Sequence, residues 1–191
     1  MGREAQPART TTAGGADELR LALADDVAFD TWYRRMLPRV FSYLLSRCGN
    51  DVGLAEELSQ QTFIAAIEQR ARYDGRSDVS TWLIGIARHK LADHFRVRER
   101  DERRRMRLEV RQIPVDEGAP RPIDFDERVA IADALRSLLA AHRAVLAFVV
   151  LDDLSVAEAG RLMGRSASAT QSLLHRAREG FRRAYGAPSD G

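Results

Sequence analysis

The chain has 191 residues, enough for one ordinary domain or two small ones. It is 45% hydrophobic and 30% charged, with a net charge of only +2, so the average composition is that of a soluble globular protein. The longest apolar run, 144–151, is too short for a membrane helix, and Cys48 alone allows neither an internal disulfide nor a cysteine-based zinc site. With no signal-peptide pattern and no metal-ligand spacing of histidines, we expect a cytoplasmic protein without cofactor or metal.

The first half of the chain has the apolar spacing of helices. Residues 1–16 have no periodicity and are predicted to be a disordered tail, whereas apolar residues step by three or four from Phe29 to Cys48. Pro38 lies inside that series and predicts either a kink or a break between two helices. Asp51 can cap a next helix over about 52–69.

A polar loop separates this helix from the next one. Residues 74–78 form the loop, and Ser77 or Ser80 can cap a helix over 79–96. An arginine-rich stretch and a segment with three prolines follow, which predicts a domain boundary. A second helical set is expected at about 125–139, 142–151, 155–163 and 167–184.

The last two helices have the pattern of a helix-turn-helix. Ser155 and Glu158 have the spacing of a capping box, and Gly164 fits the left-handed position that ends a helix. Ser166 can cap the following helix, whose predicted inward stripe is Thr170, Leu174, Ala177 and Phe181. Its outward face is polar and basic, which favours insertion into the major groove of DNA, although a solvated helical hairpin has the same pattern.

Three stretches of the first half resemble region 2 of bacterial sigma-70 factors, above all the extracytoplasmic-function group. They are Asp51 to Phe63, Tyr73 to Leu83 and Ile86 to Arg96. The stretch from Ala134 to Arg183 resembles region 4 of the same group, with no region 3 between them. The resemblance implies a dissociable subunit of RNA polymerase that recognises the −35 and −10 promoter elements and promotes DNA melting, and that is not itself an enzyme.

For the helix at 52–69, the resemblance implies a contact with the clamp coiled coil of the largest polymerase subunit. The polymerase-binding positions are Glu56, Glu57, Gln60 and Gln61. Acidic side chains suit a basic partner surface, although a solvated helix face is the alternative. Gln61 departs from the acidic residue that is usual in the family.

For the loop and helix that follow, the resemblance implies recognition and melting of the −10 element. The residues are Asp74, Arg76, Ser77, Trp82, Arg88, His89 and Arg96. Melted bases are held by stacking and by a basic track, which explains the aromatic and the arginines. Trp82 can equally be a core residue, and His89 replaces an asparagine common in the family.

For region 4, the resemblance implies binding of the −35 element and of the flap of the other large subunit. The −35 residues are Arg143, Ser168, Gln171, Ser172, His175, Arg176 and Arg178. Gln171 and Leu173 replace basic residues of the family; glutamine can read adenine, and leucine can only make apolar contact, for instance with a thymine methyl group. Leu139 replaces a proline, and Gly160 stands where alanine is usual.

These observations predict an all-α chain of two small helical domains joined by a flexible linker. The expected division is a tail at 1–16, a region 2 domain at 17–100, a linker at 101–124, a region 4 domain at 125–186 and a tail at 187–191. The expected partners are core RNA polymerase, promoter DNA and an anti-sigma factor. The alternative is a helix-turn-helix regulator that works without polymerase. Cys48 is expected to be a core residue.

Overall fold

The computed structural model describes residues 14–108 and 127–186, which are helical with no strand among them. The first half contains α1 (Gly14–Ala22), α2 (Asp26–Arg47), α3 (Val52–Glu68) and α4 (Val79–Leu108), with a 3-10 turn at Arg70–Arg72. The second half contains α5 (Glu127–Ser137), α6 (Ala140–Leu146), α7 (Val156–Met163) and α8 (Ala167–Gly186), with a π-helical turn at Ala147–Leu151. The predicted all-α class is confirmed.

Three predicted boundaries fall differently in the structure. The last three residues of the predicted tail at 1–16 begin α1, and residues 101–108 of the predicted linker continue α4. The rest of both segments, and the tail at 187–191, lie outside the described residues. α2 runs unbroken through Pro38, so of the two alternatives predicted there, a kink or a break, the break does not form.

The core of the first half is formed by α2, α3 and α4. In α2 the most buried residues are Trp32, Met36, Val40 and Leu44, which recur every four residues and are followed by Cys48. Burial raises the pKa of the Cys48 thiol to about 12, so this cysteine is an inert core residue at neutral pH.

Aspartates cap the N-termini of α3 and α4 in the first half. Asp51 accepts a hydrogen bond from the Leu54 amide at 3.0 Å and begins α3, as predicted. The prediction of Ser77 or Ser80 at the start of α4 is wrong, because Asp78 accepts the Ser80 amide at 2.8 Å instead. The Asp78 carboxylate accepts hydrogen bonds from both the amide and the hydroxyl of Ser80, and these bonds lower the pKa of Asp78.

The second half contains the predicted helix-turn-helix. Ser155 and Glu158 form the capping box, and Gly164 ends α7 with φ +66°. Ser166 accepts the Ala169 amide at 3.2 Å, so it caps α8 as predicted. Gly160 is required by close packing, because a Cβ there would lie 2.9 Å from the carbonyl oxygen of Arg165.

The two halves pack against each other along one face of α4. Contacts to the second half are made by Arg88, Phe95, Glu99 and Glu102, and Ala92 between them is buried. Successive members of this set are three or four residues apart, which places them on one helix face. We call this set the α4 stripe.

No described helix is long and apolar enough to cross a membrane. No three histidine, cysteine or acidic side chains come together among these residues in a way that would hold a metal ion.

Candidate functional surfaces

The outer face of α3 presents the residues predicted to bind polymerase. Glu56, Glu57 and Gln60 are exposed, and Gln61 is half-buried. The Gln61 amide donates a hydrogen bond to Glu57 at 2.9 Å, so the neutral side chain orients one of the two acids. The opposite face of α3 packs in the core, where Ser59 and Thr62 bond to carbonyl oxygens of their own helix. The exposed face is therefore acidic and sits on a rigid helix.

The loop before α4 is ordered by its own side chains. Asp74 accepts the Arg76 amide at 3.0 Å and forms an exposed ion pair with the Arg76 side chain at 3.3 Å. Tyr73 is buried, and its hydroxyl donates to the carbonyl oxygen of Ser77 at 2.5 Å. Burial, followed by the charge of Asp78, raises the pKa of Tyr73.

The sequence left open whether Trp82 is a core residue or an exposed aromatic, and the structure places it partly in the core and partly at the surface. Its ring lies 4.8 Å from the ring of Tyr73 and packs against the core, yet the residue is only half-buried. Core packing on one side fixes the indole and leaves part of the residue accessible to solvent.

The two arginines of α4 that are predicted to contact the −10 element have acidic partners. Arg96 pairs with Asp93, and Arg88 pairs with Asp152 at 2.9 Å. His89 is exposed. The predicted −10 track therefore includes one arginine, Arg88, that is held by the second half of the chain.

Asp152 is the centre of this contact, and its side chain is 1% exposed. One carboxylate oxygen accepts from Arg47 at 2.7 Å, and the other accepts from Arg88 at 2.9 Å and from the Tyr43 hydroxyl at 2.8 Å. Burial raises the pKa of Tyr43 above its usual range, and the nearby charge of Asp152 adds to the rise. Burial opposes the charge on Arg88, but Tyr43 and Asp152 outweigh it and raise its pKa. We call these four residues the Asp152 cluster.

A second polar contact joins the far end of α4 to the second half. Glu99 pairs with Arg165 in the turn between α7 and α8, with both side chains less than one-fifth exposed. Glu102 accepts the Ala140 amide at 3.1 Å, at the start of a helix whose N-cap residue, Leu139, has no capping side chain. The first half therefore supplies the cap of α6.

The outer face of α8 carries most residues predicted to bind the −35 element. Ser168, Gln171, Ser172, His175, Arg176 and Arg178 are all exposed. The predicted inward stripe is confirmed, with Thr170 and Ala177 fully buried. The suggestion that Leu173 contacts a thymine is wrong for this structure, because Leu173 is 4% exposed and belongs to the core.

Arg143 lies apart from that exposed face, on α6 at the contact between the halves. Its guanidinium carbon is 5.7 Å from the centre of the Phe95 ring, and burial lowers its pKa. Arg143 also borders an apolar groove of about 390 Å³. The apolar lining of this groove is Ile131, Leu135, Leu146, Ala147, Val150, Leu151 and Phe181, and its remaining sides are arginines.

Sequence reasoning missed the acids that join the two halves. Asp152, Glu99 and Glu102 have no local pattern that separates them from solvated acids. The one sequence signal is the spacing of the α4 stripe, in which steps of three and four continue past Phe95 into the arginine-rich stretch.

Two family models match the chain, in the order that the resemblance implied. Sigma-70 region 2 matches residues 32–101, and Sigma-70 region 4 matches residues 128–179. The first match covers α3 and the α4 stripe except Glu102, and the second covers the helix-turn-helix. Together they span more than half of the chain.

Curated relatives agree with these matches. The chain is 35% identical over 131 residues to the ECF RNA polymerase sigma factor SigC of Mycobacterium tuberculosis, covering 68% of this chain and 69% of that protein. It is 34% identical over 142 residues to the ECF RNA polymerase sigma factor SigF of Caulobacter vibrioides, and the match covers 73% of this chain and 75% of that protein.

A solved structure has a similar fold. It is the sigma factor RpoE in complex with the anti-sigma factor NepR from Bartonella quintana, with a TM-score of 0.51 and 20% identity. The likeness covers 84% of this chain and 98% of that one. At this identity the comparison concerns the fold.

Proposed function

Because this chain belongs to the extracytoplasmic-function group of the sigma-70 family, we propose that it directs core RNA polymerase to specific promoters. The observation that carries the proposal is the presence, on one chain, of an exposed acidic face on α3 and an exposed basic face on a helix-turn-helix. A subunit that bridges a protein and DNA needs both. A helix-turn-helix regulator that works without polymerase does not need the acidic face on α3.

The face of α3 is proposed to bind the clamp coiled coil of the largest polymerase subunit. Glu56 and Glu57 supply the charge, and Gln60 supplies a neutral hydrogen-bonding group beside them. Charge complementarity of this kind speeds association and sets orientation. The Gln61 to Glu57 hydrogen bond holds one acid in place, so the contact keeps a fixed geometry without a third charge.

The start of α4 and the preceding loop are proposed to recognise and melt the −10 element. The exposed edge of Trp82 offers a stacking surface, and the loop with Asp74, Arg76 and Ser77 lies directly before the helix. Arg88, His89 and Arg96 would continue the track for the separated strand. Arg88 can do so only after it leaves Asp152.

The exposed face of α8 is proposed to read the −35 element in the major groove. Gln171 and Ser172 lie in the first two turns of the helix, where recognition helices reach base edges. His175, Arg176 and Arg178 follow on the same exposed side, and the arginines would contact phosphates. Arg143, from α6, stays a prediction for this site, since it packs against Phe95 at the contact between the halves and borders the same groove as Arg178.

The apolar groove is proposed to take the flap of the other large polymerase subunit. Its lining is formed by α5, α6, the π-helical turn and the end of α8, with arginines at the rim. An amphipathic segment with acidic flanks fits such a surface. An anti-sigma factor, like that bound to the similar RpoE, would compete for these same faces. We place the protein in the cytoplasm and assign it no catalytic step.

The test is promoter-specific run-off transcription with core polymerase and genomic promoter fragments. We expect a defined transcript with the parent chain and its loss in the double variant Glu56→Lys with Glu57→Lys. The control, Asp30→Lys with Asp101→Lys, makes the same change in net charge at exposed acids elsewhere and should keep the transcript. Core binding without any promoter-specific product from the parent chain would refute the proposal. Unchanged core affinity of the Glu56 and Glu57 variant would refute the clamp contact.

A further inference from the structure

The end of α4 carries a group of arginines that belongs to none of the surfaces described above. We call it the α4 arginine patch; its members are Arg100, Arg103, Arg104 and Arg107. We propose that this patch binds the phosphates of double-stranded DNA, independently of base sequence, directly upstream of the melted −10 segment. This role rests on the proposed function, because it takes the start of α4 to lie on the −10 element. It adds a third contact with promoter DNA, between the −10 and −35 contacts.

The members of the patch lie side by side on one face of the helix. They are three or four residues apart, all four are exposed, and together they border one surface pocket of about 430 Å³. Like charges at this spacing repel each other along a helix and destabilise it. An anion that binds in the pocket relieves this repulsion.

Most of the positive charge of the patch is not neutralised by the chain itself. Arg103 pairs with Glu99 at 2.6 Å, and the same carboxylate also pairs with Arg165. The other three members have no acidic partner among the described residues. Arg88 and Arg96, earlier on the same helix, are both paired with aspartates. The patch therefore carries the unpaired guanidinium groups of this helix that an external anion can reach.

The patch continues the helix face that carries two of the proposed −10 residues. His89 and Arg96 lie seven residues apart, which is close to two full turns. The face then continues at steps of four, three and four residues, with Arg100, Arg103 and Arg107. α4 is unbroken over this length, so these side chains keep one line. The α4 stripe lies about a quarter of a turn away, so the patch and the contact between the halves use different faces.

Duplex DNA fits this surface in length and in chemistry. At about 1.5 Å per residue, the face from His89 to Arg107 is about 27 Å long, which corresponds to about eight base pairs. A duplex presents phosphates at regular intervals over that length, and a guanidinium group can bind a phosphate through two parallel hydrogen bonds. The pocket is bordered by arginines alone, whereas protein–protein interfaces have an apolar or aromatic core. These features favour DNA over an acidic protein as the partner.

The patch extends beyond the part of the chain that the family models match. The region 2 match ends at residue 101 and the region 4 match begins at 128, so three of the four arginines lie between them. Phosphate contacts carry no sequence information and raise the affinity for every promoter alike. The patch therefore supplies backbone contacts to a chain that has Gln171, in place of a basic residue, on α8.

The test measures the affinity of the full chain for a fluorescent duplex of mixed sequence at several salt concentrations. The test variant is Arg100→Gln with Arg104→Gln, because glutamine removes the charge and keeps a high helix propensity. The control, Arg20→Gln with Arg34→Gln, removes the same charge from exposed arginines of α1 and α2. We expect the slope of log affinity against log salt to fall by roughly 2 in the test variant, the value for two lost phosphate contacts. The control should keep the parent slope, and equal slopes in the two variants would overturn the proposal.

Other ligands distinguish duplex DNA from other partners of the patch. The same pair of variants is measured against a single strand of the same sequence and against core RNA polymerase. A greater loss of affinity for the single strand than for the duplex would overturn the choice of double-stranded DNA. A loss of affinity for core polymerase with unchanged duplex binding would overturn DNA as the partner and indicate an acidic protein surface instead. A changed preference among base pairs would overturn sequence independence.

A tethered cleavage reagent locates the contact on a promoter. An iron chelate attached at Arg104→Cys should cut the duplex between the −10 and −35 elements when the chain is bound to core polymerase, and Cys48 is buried and stays unlabelled. Cuts confined to either element would overturn the placement upstream of the melted segment. A promoter-specific transcript together with equal salt slopes of the two variants would overturn the patch alone. Absence of that transcript would refute the proposed function, which the salt slopes of the free chain do not measure.

Discussion

The two surfaces proposed to bind DNA, on α4 and on α8, look alike in sequence and differ in the structure. Each comes from a stretch rich in arginine, and each has polar or basic residues on one helix face. On α8, Arg176 and Arg178 are exposed, and neither has an acidic partner among the described residues. On α4, Arg88 and Arg96 are both paired with aspartates.

The difference shows that a count of basic residues does not measure a binding surface. Asp93 neutralises Arg96 from within the same helix, as spacing of three residues allows. Asp152 neutralises Arg88 from 64 residues away, which only the docking of the halves makes possible. The arginines proposed to bind DNA on α8 are therefore exposed, whereas on α4 Arg88 is held by the second half of the chain.

The largest expected effect concerns the support of the α8 surface. Gly160→Ala would place a methyl group 2.9 Å from both the Arg165 carbonyl oxygen and the Thr170 hydroxyl. Overpacking of this type costs about 1–3 kcal/mol, so the free energy of unfolding should fall by that amount. Chemical denaturation measures the change in the free energy of unfolding. Binding of duplex DNA should also weaken, because the turn between α7 and α8 is distorted.

The control for this substitution changes a glycine of α4 to alanine. Gly85 lies inside α4, and a Cβ there meets nothing within 4 Å. Gly85→Ala should stabilise the chain by about 0.5–1 kcal/mol, because alanine favours a helix interior. Destabilisation of both variants to the same degree would contradict the packing described at Gly160.

A second change tests whether α8 reads sequence. Gln171→Ala should relax the preference for one base pair of the −35 element by about 1–3 kcal/mol, the usual value for a bidentate contact. Competition binding with duplexes altered one base pair at a time measures it. Arg183→Ala, on the same helix, should keep the preference profile, and an unaltered profile in Gln171→Ala would remove that residue from base recognition.

A third pair of variants compares the two surfaces directly. In the free chain, Arg176→Gln should reduce the slope of log affinity for duplex DNA against log salt by about 1, the value for one lost phosphate contact. Arg88→Gln should leave that slope unchanged, since Asp152 already occupies the side chain. Equal losses from both substitutions would mean that the α4 surface is open in the free chain.

The smallest expected effect is a dependence of stability on pH. Burial, followed by the charge of Arg176, lowers the pKa of His142, which lies on α6 near Glu99 and Glu102 of α4 and near Arg165. Burial and Arg98 likewise lower the pKa of His94. The unfolded chain then binds protons more readily, so stability is lost as pH falls below about 6.5.

Thermal unfolding between about pH 7 and pH 5.5 measures this loss around the reference histidine pKa. His142→Gln should show a smaller fall in Tm than the parent chain. The control His89→Gln, at an exposed position of α4, should follow the parent curve. A fall as steep in His142→Gln as in the parent would contradict the role of His142.

The sequence was sufficient to predict the helix caps and turns, which depend on neighbouring residues. It was not sufficient to predict the contacts between the two halves, which join residues distant in the chain. The Asp51 cap, the capping box at Ser155 and the turn at Gly164 depend on neighbours within four residues, and all three were predictable. The docking of the halves depends on Asp152, Glu99 and Glu102, whose partners are distant in sequence. Leu173 was misjudged because the family pattern suggested an outward position, whereas an apolar side chain there turns into the core.

Because Arg88 can join the proposed −10 surface only after it leaves Asp152, the proposed function requires the two halves to separate on polymerase, and a distance measurement tests this requirement most directly. Spin labels at Ala71→Cys and Ala184→Cys report on one exposed site in each half, while Cys48 is buried and stays unlabelled. Pulsed electron paramagnetic resonance gives the distance between the labels with and without core RNA polymerase. We expect one narrow, short distance in the free chain and a longer one on polymerase. The same distance in both states would contradict the account.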